Sequence, residues 1–259
     1  MVNLKNYNIV LKLFVLLLTF IFVASCGQNK HFVSKIEGKK IEISKDLSES
    51  TEIEKYIKPY RDYINKDLST ILAYNPENLD KSVGEWQTNI GSFLADITLE
   101  KCAPIFSLRE SKSIDICMLN HGGIRSVLPK GSLTARNAYE VMPFENSATV
   151  IALKGEQILD LITYIISEKK PHPIAGLKFS ITSKNEAKDI LIQGKSFEIS
   201  KIYYVVTNDY LANGGDNMVF FKKGINRYDL DYRLRNVIID YFREVDTIKI
   251  NFNKRIIKE

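Results

Sequence analysis

The sequence predicts an α+β fold with a mixed sheet, and three observations carry that expectation. Short apolar runs of strand length are interspersed with helical periodicities of three to four residues, without the regular strand–helix alternation of a parallel sheet. Two glycine-pair loops, at Gly122-Gly123 and Gly214-Gly215, each follow an apolar strand candidate. No Gly/Ser-rich or Pro-rich linker interrupts residues 35–259, which are therefore expected to form one domain. The 259 residues are 45% hydrophobic, 26% charged and 10% aromatic. That balance excludes a disordered tail protein, a collagen-like repeat and a multi-pass membrane protein.

The first 25 residues read as a leader outside the fold. They carry Lys5 and Lys12, no acid, and the apolar run Leu13–Ala24. This run is short for a spanning helix of about 20 residues and fits a secretory h-region. Val23-Ala24-Ser25-Cys26-Gly27 resembles a bacterial lipobox, which implies a lipidated Cys26, a tether over 26–34 and a place in the cell envelope. An uncleaved single-pass anchor is the other reading. Removing the two leader lysines lowers the net charge from +5 to +3. So weak a balance does not suggest a nucleic-acid backbone binder. Cys102 and Cys117 could pair or stay as buried thiols; buried thiols are the expectation, because two cysteines at one spacing say little.

The elements follow in order. Residues 31–43 alternate partly about Gly38 and suggest a strand pair or an extended arm. Thr51-x-x-Glu54 is a capping box before a helix whose apolar face is Ile53, Tyr56, Ile57, Tyr60 and Ile64, with Pro59 set against its regularity. A strand is expected over 68–74 and a turn at Asn75-Pro76. A helix over 88–99, capped by Thr88 or Asn89, faces Phe93, Leu94 and Ile97 inward. The strand expected over 113–119 stops at the first glycine loop. A helical turn over 137–141, a strand over 148–153 and a periodic helix over 156–167 come next. Strands over 176–182, 189–193 and 203–207 lead to the second loop, and a helix is expected over 230–242.

The two glycine loops are the places suited to chemistry. Paired glycines after a buried strand permit positive φ and close approach of backbone to a ligand. Asn120 offers an amide edge and Arg125 a fork for an anion, while Tyr210 offers a ring and Asp216 a carboxylate for hydroxyls. Read without further context, two ordinary tight turns explain the same pattern.

Four ordered motifs are more specific. They are Glu85, Asn89, Gly91, Leu94, Ala95 and Asp96 in one helical stretch; Asn120-His121-Gly122-Gly123-Ile124-Arg125; Tyr139-Glu140-Val141-Met142-Pro143-Phe144-Glu145-Asn146; and Asn208-Asp209-Tyr210-Leu211-Ala212-Asn213-Gly214-Gly215-Asp216. Together they resemble the C-terminal domain of 5′-nucleotidases, from about residue 85 to 224. The resemblance implies a nucleotide-binding half-site: Phe144 and Tyr210 stack the base, Asn120 touches it, Arg125 holds phosphate and Asp216 accepts from ribose hydroxyls. Three departures stand out. Tyr210 replaces the usual Phe. His121 stands at a usual Gly and is expected to face solvent. Trp86 and Ser92 flank the first stretch, with none of the nearby arginines that relatives bring to the phosphate.

In that family the hydrolytic chemistry belongs to a separate two-metal domain. Only His31, His121 and His172 are present, none in an Asp-x-His or Gly-His-x-His context, and about 59 residues separate the leader from the matching region. No catalytic residue and no cofactor are therefore assigned to this chain. The expected role is the substrate-binding half of a 5′-nucleotidase, working with a separately encoded two-metal phosphoesterase in nucleotide catabolism. The alternative is a membrane-anchored protein that captures nucleotides or nucleosides for uptake.

Overall fold

The computed structural model describes residues 4–23, 32–44 and 46–259, and two compact units emerge, Met1–Thr51 and Glu52–Glu259. Within the first unit, helix α1 (Leu4–Val23) holds most of the apolar run. No helix among the described residues is long and apolar enough to cross a membrane. Residues 32–44 form neither helix nor strand and are exposed, so no strand pair is present there. The expected domain start at 35 falls inside this first unit. Cys26 lies outside the described residues.

Helix α2 (Thr51–Leu68), all but its first residue in the second unit, runs through Pro59. Thr51 is its first helical residue, which moves the cap position to Ser50. Its apolar stripe does not enter the core, and no α2 residue is buried. The elements that follow are β1 (Ile71–Asn75), α3 (Asn89–Glu110), β2 (Ile116–Met118), β3 (Gly131–Thr134), α4 (Ala135–Val141), β4 (Ser147–Lys154) and α5 (Gly155–Glu168). Then come β5 (Ile174–Ala175), β6 (Leu177–Ile181), β7 (Ala187–Ile192), β8 (Lys195–Ser196), β9 (Ile202–Asn208), the short α6 (Asp209–Ala212), β10 (Asn226–Arg233), α7 (Leu234–Glu244) and β11 (Ile256–Lys258).

A five-stranded mixed sheet in the order β10-β4-β9-β2-β5 is central, beside a four-stranded sheet β11-β6-β7-β8 and the pair β1-β3. The period of two along a strand sends its side chains to two separate cores. Ala148 and Val150 of β4 and Val206 of β9 join α3 and α7 on one face. Ile151 and Leu153 of β4 and Tyr203 and Val205 of β9 join α5 and β6 on the other. Such two-sided burial explains why β4 and β9 read as continuous apolar runs.

Two expected elements are corrected. The helix over 88–99 extends to Glu110, capped by the Thr88 hydroxyl, which accepts from the Gly91 N–H at 3.0 Å. The helix over 230–242 begins only at Leu234, because residues 226–233 pair with β4 as an edge strand. Cys102 and Cys117 are buried free thiols. Burial alone pushes the Cys102 thiol up to about 12.

The junction of β4 and α5 has no room for a side chain at Gly155. A Cβ there would sit 2.4 Å from the backbone oxygen of Ile199. Gly155→Ala is expected to destabilise the unit by about 1–3 kcal/mol, read as a lowered urea midpoint with an unchanged slope.

Candidate functional site

The sheet register brings the motifs together. β2 and β9 are parallel neighbours, with Cys117 opposite Val206, so the loops that leave their C-terminal ends emerge on the same side. β4 runs antiparallel to β9 with Ala148 opposite Asn208, which places the residues just before β4 at that same end. Openings of this kind, at the carboxyl ends of strands, are where open sheets hold ligands. Asn120, Arg125, Phe144, Tyr210 and Asp216 all line one cavity there, of about 440 Å³, with Gly122, Gly123 and Asn146 completing the wall.

Asp216 is the most constrained of the five. It sits at φ 50°, in the left-handed region, within a turn opened by Gly214 at φ 82°. Its Oδ2 accepts from Asn120 Nδ2 at 2.7 Å and its Oδ1 from the Tyr210 hydroxyl at 2.8 Å. The Tyr164 hydroxyl, on α5, donates to its backbone carbonyl at 2.7 Å. Each carboxylate oxygen keeps a second lone pair for another donor. The two glycine pairs make this closeness possible. A Cβ on Gly123 would meet Asn120 Oδ1 at 2.8 Å, and one on Gly215 would lie 2.5 Å from the Tyr210 ring.

Phe144 and Tyr210 are 42% and 46% exposed, large rings left open to solvent beside the cavity. The Arg125 guanidinium lies 5.9 Å from the Phe144 ring centroid, and its Nη1 donates to the Gly122 carbonyl at 3.3 Å. Lys81 donates from Nζ to the Ile124 carbonyl of the same loop at 2.6 Å.

Four nearby residues escaped the sequence reading. Asn146 closes the third motif without an assigned role there, and Lys81 sits in a segment with no distinguishing pattern. Tyr164 belongs to an apolar helix face. His172 is buried beneath the first loop, where its Nδ1 accepts the His121 N–H at 3.3 Å. Burial, and then the neighbouring His121, push the His172 pKa down to about 4. His121 is half-buried rather than facing solvent, and its pKa is lowered first by burial and then by Lys81. Near the start of α3 the position of missing arginines is met by a distant one. Arg255 is buried there, but it is engaged by Asp96 and by the Ser92 and Ile174 carbonyls. Among the described residues, no three His, Cys, Asp or Glu side chains gather where they could hold a metal ion.

Fold and site together define a mixed-sheet pocket domain whose cavity is built from strand-end loops. The family model of the 5′-nucleotidase C-terminal domain matches residues 71–223, more than half of the sequence. The chain belongs to that family. Among curated proteins, the trifunctional nucleotide phosphoesterase YfkN of Bacillus subtilis is 25% identical over 207 residues, covering 73% of this chain and 14% of that protein. The 5′-nucleotidase of Vibrio vulnificus is 23% identical over 191 residues, covering 70% of this chain and 32% of its own length. The 5′-nucleotidase precursor of Thermus thermophilus superposes with a TM-score of 0.66 at 23% identity, over 79% of this chain and 42% of that one. This chain thus spans less than half the length of the relatives it matches.

Proposed function

We propose that this chain is the nucleotide- or nucleoside-binding half of a 5′-nucleotidase-type phosphohydrolase, acting with a separately encoded two-metal phosphoesterase in nucleotide catabolism. One observation carries the reading: three segments far apart in sequence deliver two open aromatic rings, a carboxylate, an amide and a guanidinium to one cavity. Each group has a matching chemistry. Flat rings stack any base, for roughly 1–3 kcal/mol apiece. The Asp216 carboxylate, with lone pairs to spare, suits ribose hydroxyls. The Asn120 amide suits a base edge, and the Arg125 fork suits a phosphate. Lipidation of Cys26 would hold the domain at a bacterial membrane surface, and acyl-chain mass on the N-terminal peptide tests that part.

Calorimetric titration of the protein with AMP and with adenosine tests the binding role. Saturable binding supports it, and no heat up to millimolar ligand counts against it. Addition of a two-metal phosphoesterase from the same cell, with AMP hydrolysis as the readout, tests the partnership. Hydrolysis no faster than that of the phosphoesterase alone would end that part of the proposal. Tyr210→Phe keeps the ring but removes one of the donors that fix Asp216. It is expected to weaken adenosine binding several-fold, as one neutral-to-charged hydrogen bond would, while the thermal midpoint stays within a few degrees.

A further inference from the structure

We infer that Arg235 is a positioning residue for the Phe144 ring: from the start of α7 it holds the chain on both sides of that ring and so sets the direction in which the ring meets a ligand. The inference deepens the nucleotide reading and rests on Phe144 being a surface that stacks a base. Phe144 stands exposed at a bend between α4 and β4. Its ring belongs to neither apolar core, so core packing does not orient it. Its two neighbours are held instead. Arg235 Nη1 donates to the Pro143 carbonyl at 3.3 Å, and Arg235 Nη2 donates to Glu145 Oε1. The other carboxylate oxygen, Glu145 Oε2, pairs with Arg233 Nη1 at 2.5 Å. One residue further on, the Leu234 N–H donates to the Asn146 carbonyl at 3.0 Å.

Such a grip calls for an arginine. The Arg235 side chain is buried, and its guanidinium lies 4.1 Å from the centroid of the Tyr139 ring on α4. That contact ties α7 to the helix that leads into the bend. A planar fork reaches a carbonyl and a carboxylate at once, whereas the ammonium of lysine is a point charge without fixed geometry. Arg235 Nε is buried without a hydrogen-bond partner among the described residues. Burying a charge in this way costs desolvation, and an apolar side chain of similar volume often serves stability as well or better. What the charge adds is the fixed direction of residues 143 and 145, and with it that of the ring between them. Neither Arg235 nor Glu145 lines the cavity, so each reaches a ligand only through the segment it holds.

Titration with adenosine of the wild type, Arg235→Lys, Glu145→Gln and Phe144→Ala, and of the first two variants each combined with the third, tests this. Arg235→Lys and Glu145→Gln are each expected to weaken adenosine about three- to tenfold, a part of what loss of the ring costs. In the Phe144→Ala background either change should add nothing, because the ring through which it acts is gone. Fluorine NMR on chains labelled with fluorophenylalanine supplies a second readout, the Phe144 resonance being assigned by its absence from Phe144→Ala. That resonance should move or broaden in both variants while most others keep their positions. Glu145 is exposed, so Glu145→Gln leaves the core intact and carries the test should Arg235→Lys fail to fold. Losses that persist in full in the Phe144→Ala background would overturn the inference, by showing that the cluster merely supports the fold. An unmoved Phe144 resonance, or unchanged adenosine affinity in both variants with Phe144→Ala weakened, would overturn it and leave the stacking reading standing. A wild type that binds no adenosine, or whose binding Phe144→Ala leaves unchanged, would overturn the stacking reading and this inference with it.

Discussion

Between pH 7 and pH 4 the wild-type protein is expected to lose on the order of 3 kcal/mol of stability through His172 alone. The imidazole is buried, with a folded pKa near 4 against an ordinary 6.5. In the neutral ring Nδ1 accepts from His121, so the proton resides on Nε2, which is buried without a hydrogen-bond partner among the described residues. Protonation would turn Nδ1 into a donor facing another donor. Because the folded pKa lies below the unfolded one, the unfolded chain takes up the proton first. Stability is complete above about pH 6.5 and falls as the pH drops toward 4. Lys170 and His121 oppose the charge, while Asp216 and Glu168 favour it. His172→Asn keeps an acceptor for the His121 N–H and cannot titrate. Urea unfolding at pH 7 and pH 4 is therefore expected to show a smaller decline for the variant, by that same 3 kcal/mol. Parallel declines would mean that the ring is solvated.

Phe144→Ala is expected to weaken AMP and adenosine alike, by about 1–3 kcal/mol, or roughly five- to 150-fold. Phe144 is 42% exposed, so its removal leaves no core cavity and the urea midpoint should hardly move. The ring also serves Arg125, whose guanidinium lies beside it. A loss confined to AMP would therefore mean that Phe144 matters as a support for the cation rather than as a surface for the base. Loss of neither would place the base elsewhere.

The sequence made much of the pocket legible and much of its foundation invisible. Asn120, Arg125, Tyr210 and Asp216 stand out because glycine pairs mark their loops whatever the surrounding fold, whereas Phe144 was singled out only through the family resemblance of its motif. Their convergence depends on the β2–β9 register, which no local pattern encodes. His172 was out of reach for the same reason: its link to His121 spans 51 residues. Helix signals were sound where a cap was present, as at Thr88, and failed where tertiary pairing prevailed. Tyr228, Leu230 and Tyr232 alternate as a strand, yet Leu230 also fits the spacing of α7, and pairing with β4 decides between them. The α2 stripe had the right period, but periodicity says nothing about whether a neighbour covers it.

The hydrogen bond between Asn120 and Asp216 joins residues 96 positions apart. Such a bond forms only after β2 has come to lie beside β9, a non-local event that is slow in any folding chain. The pocket is thus assembled late, and a fragment ending before β9 contains six of its eight lining residues but lacks Tyr210, Asp216 and the bond that joins the two loops. Ligand affinity in this protein doubles as a folding probe: a molecule that binds has already closed its central register.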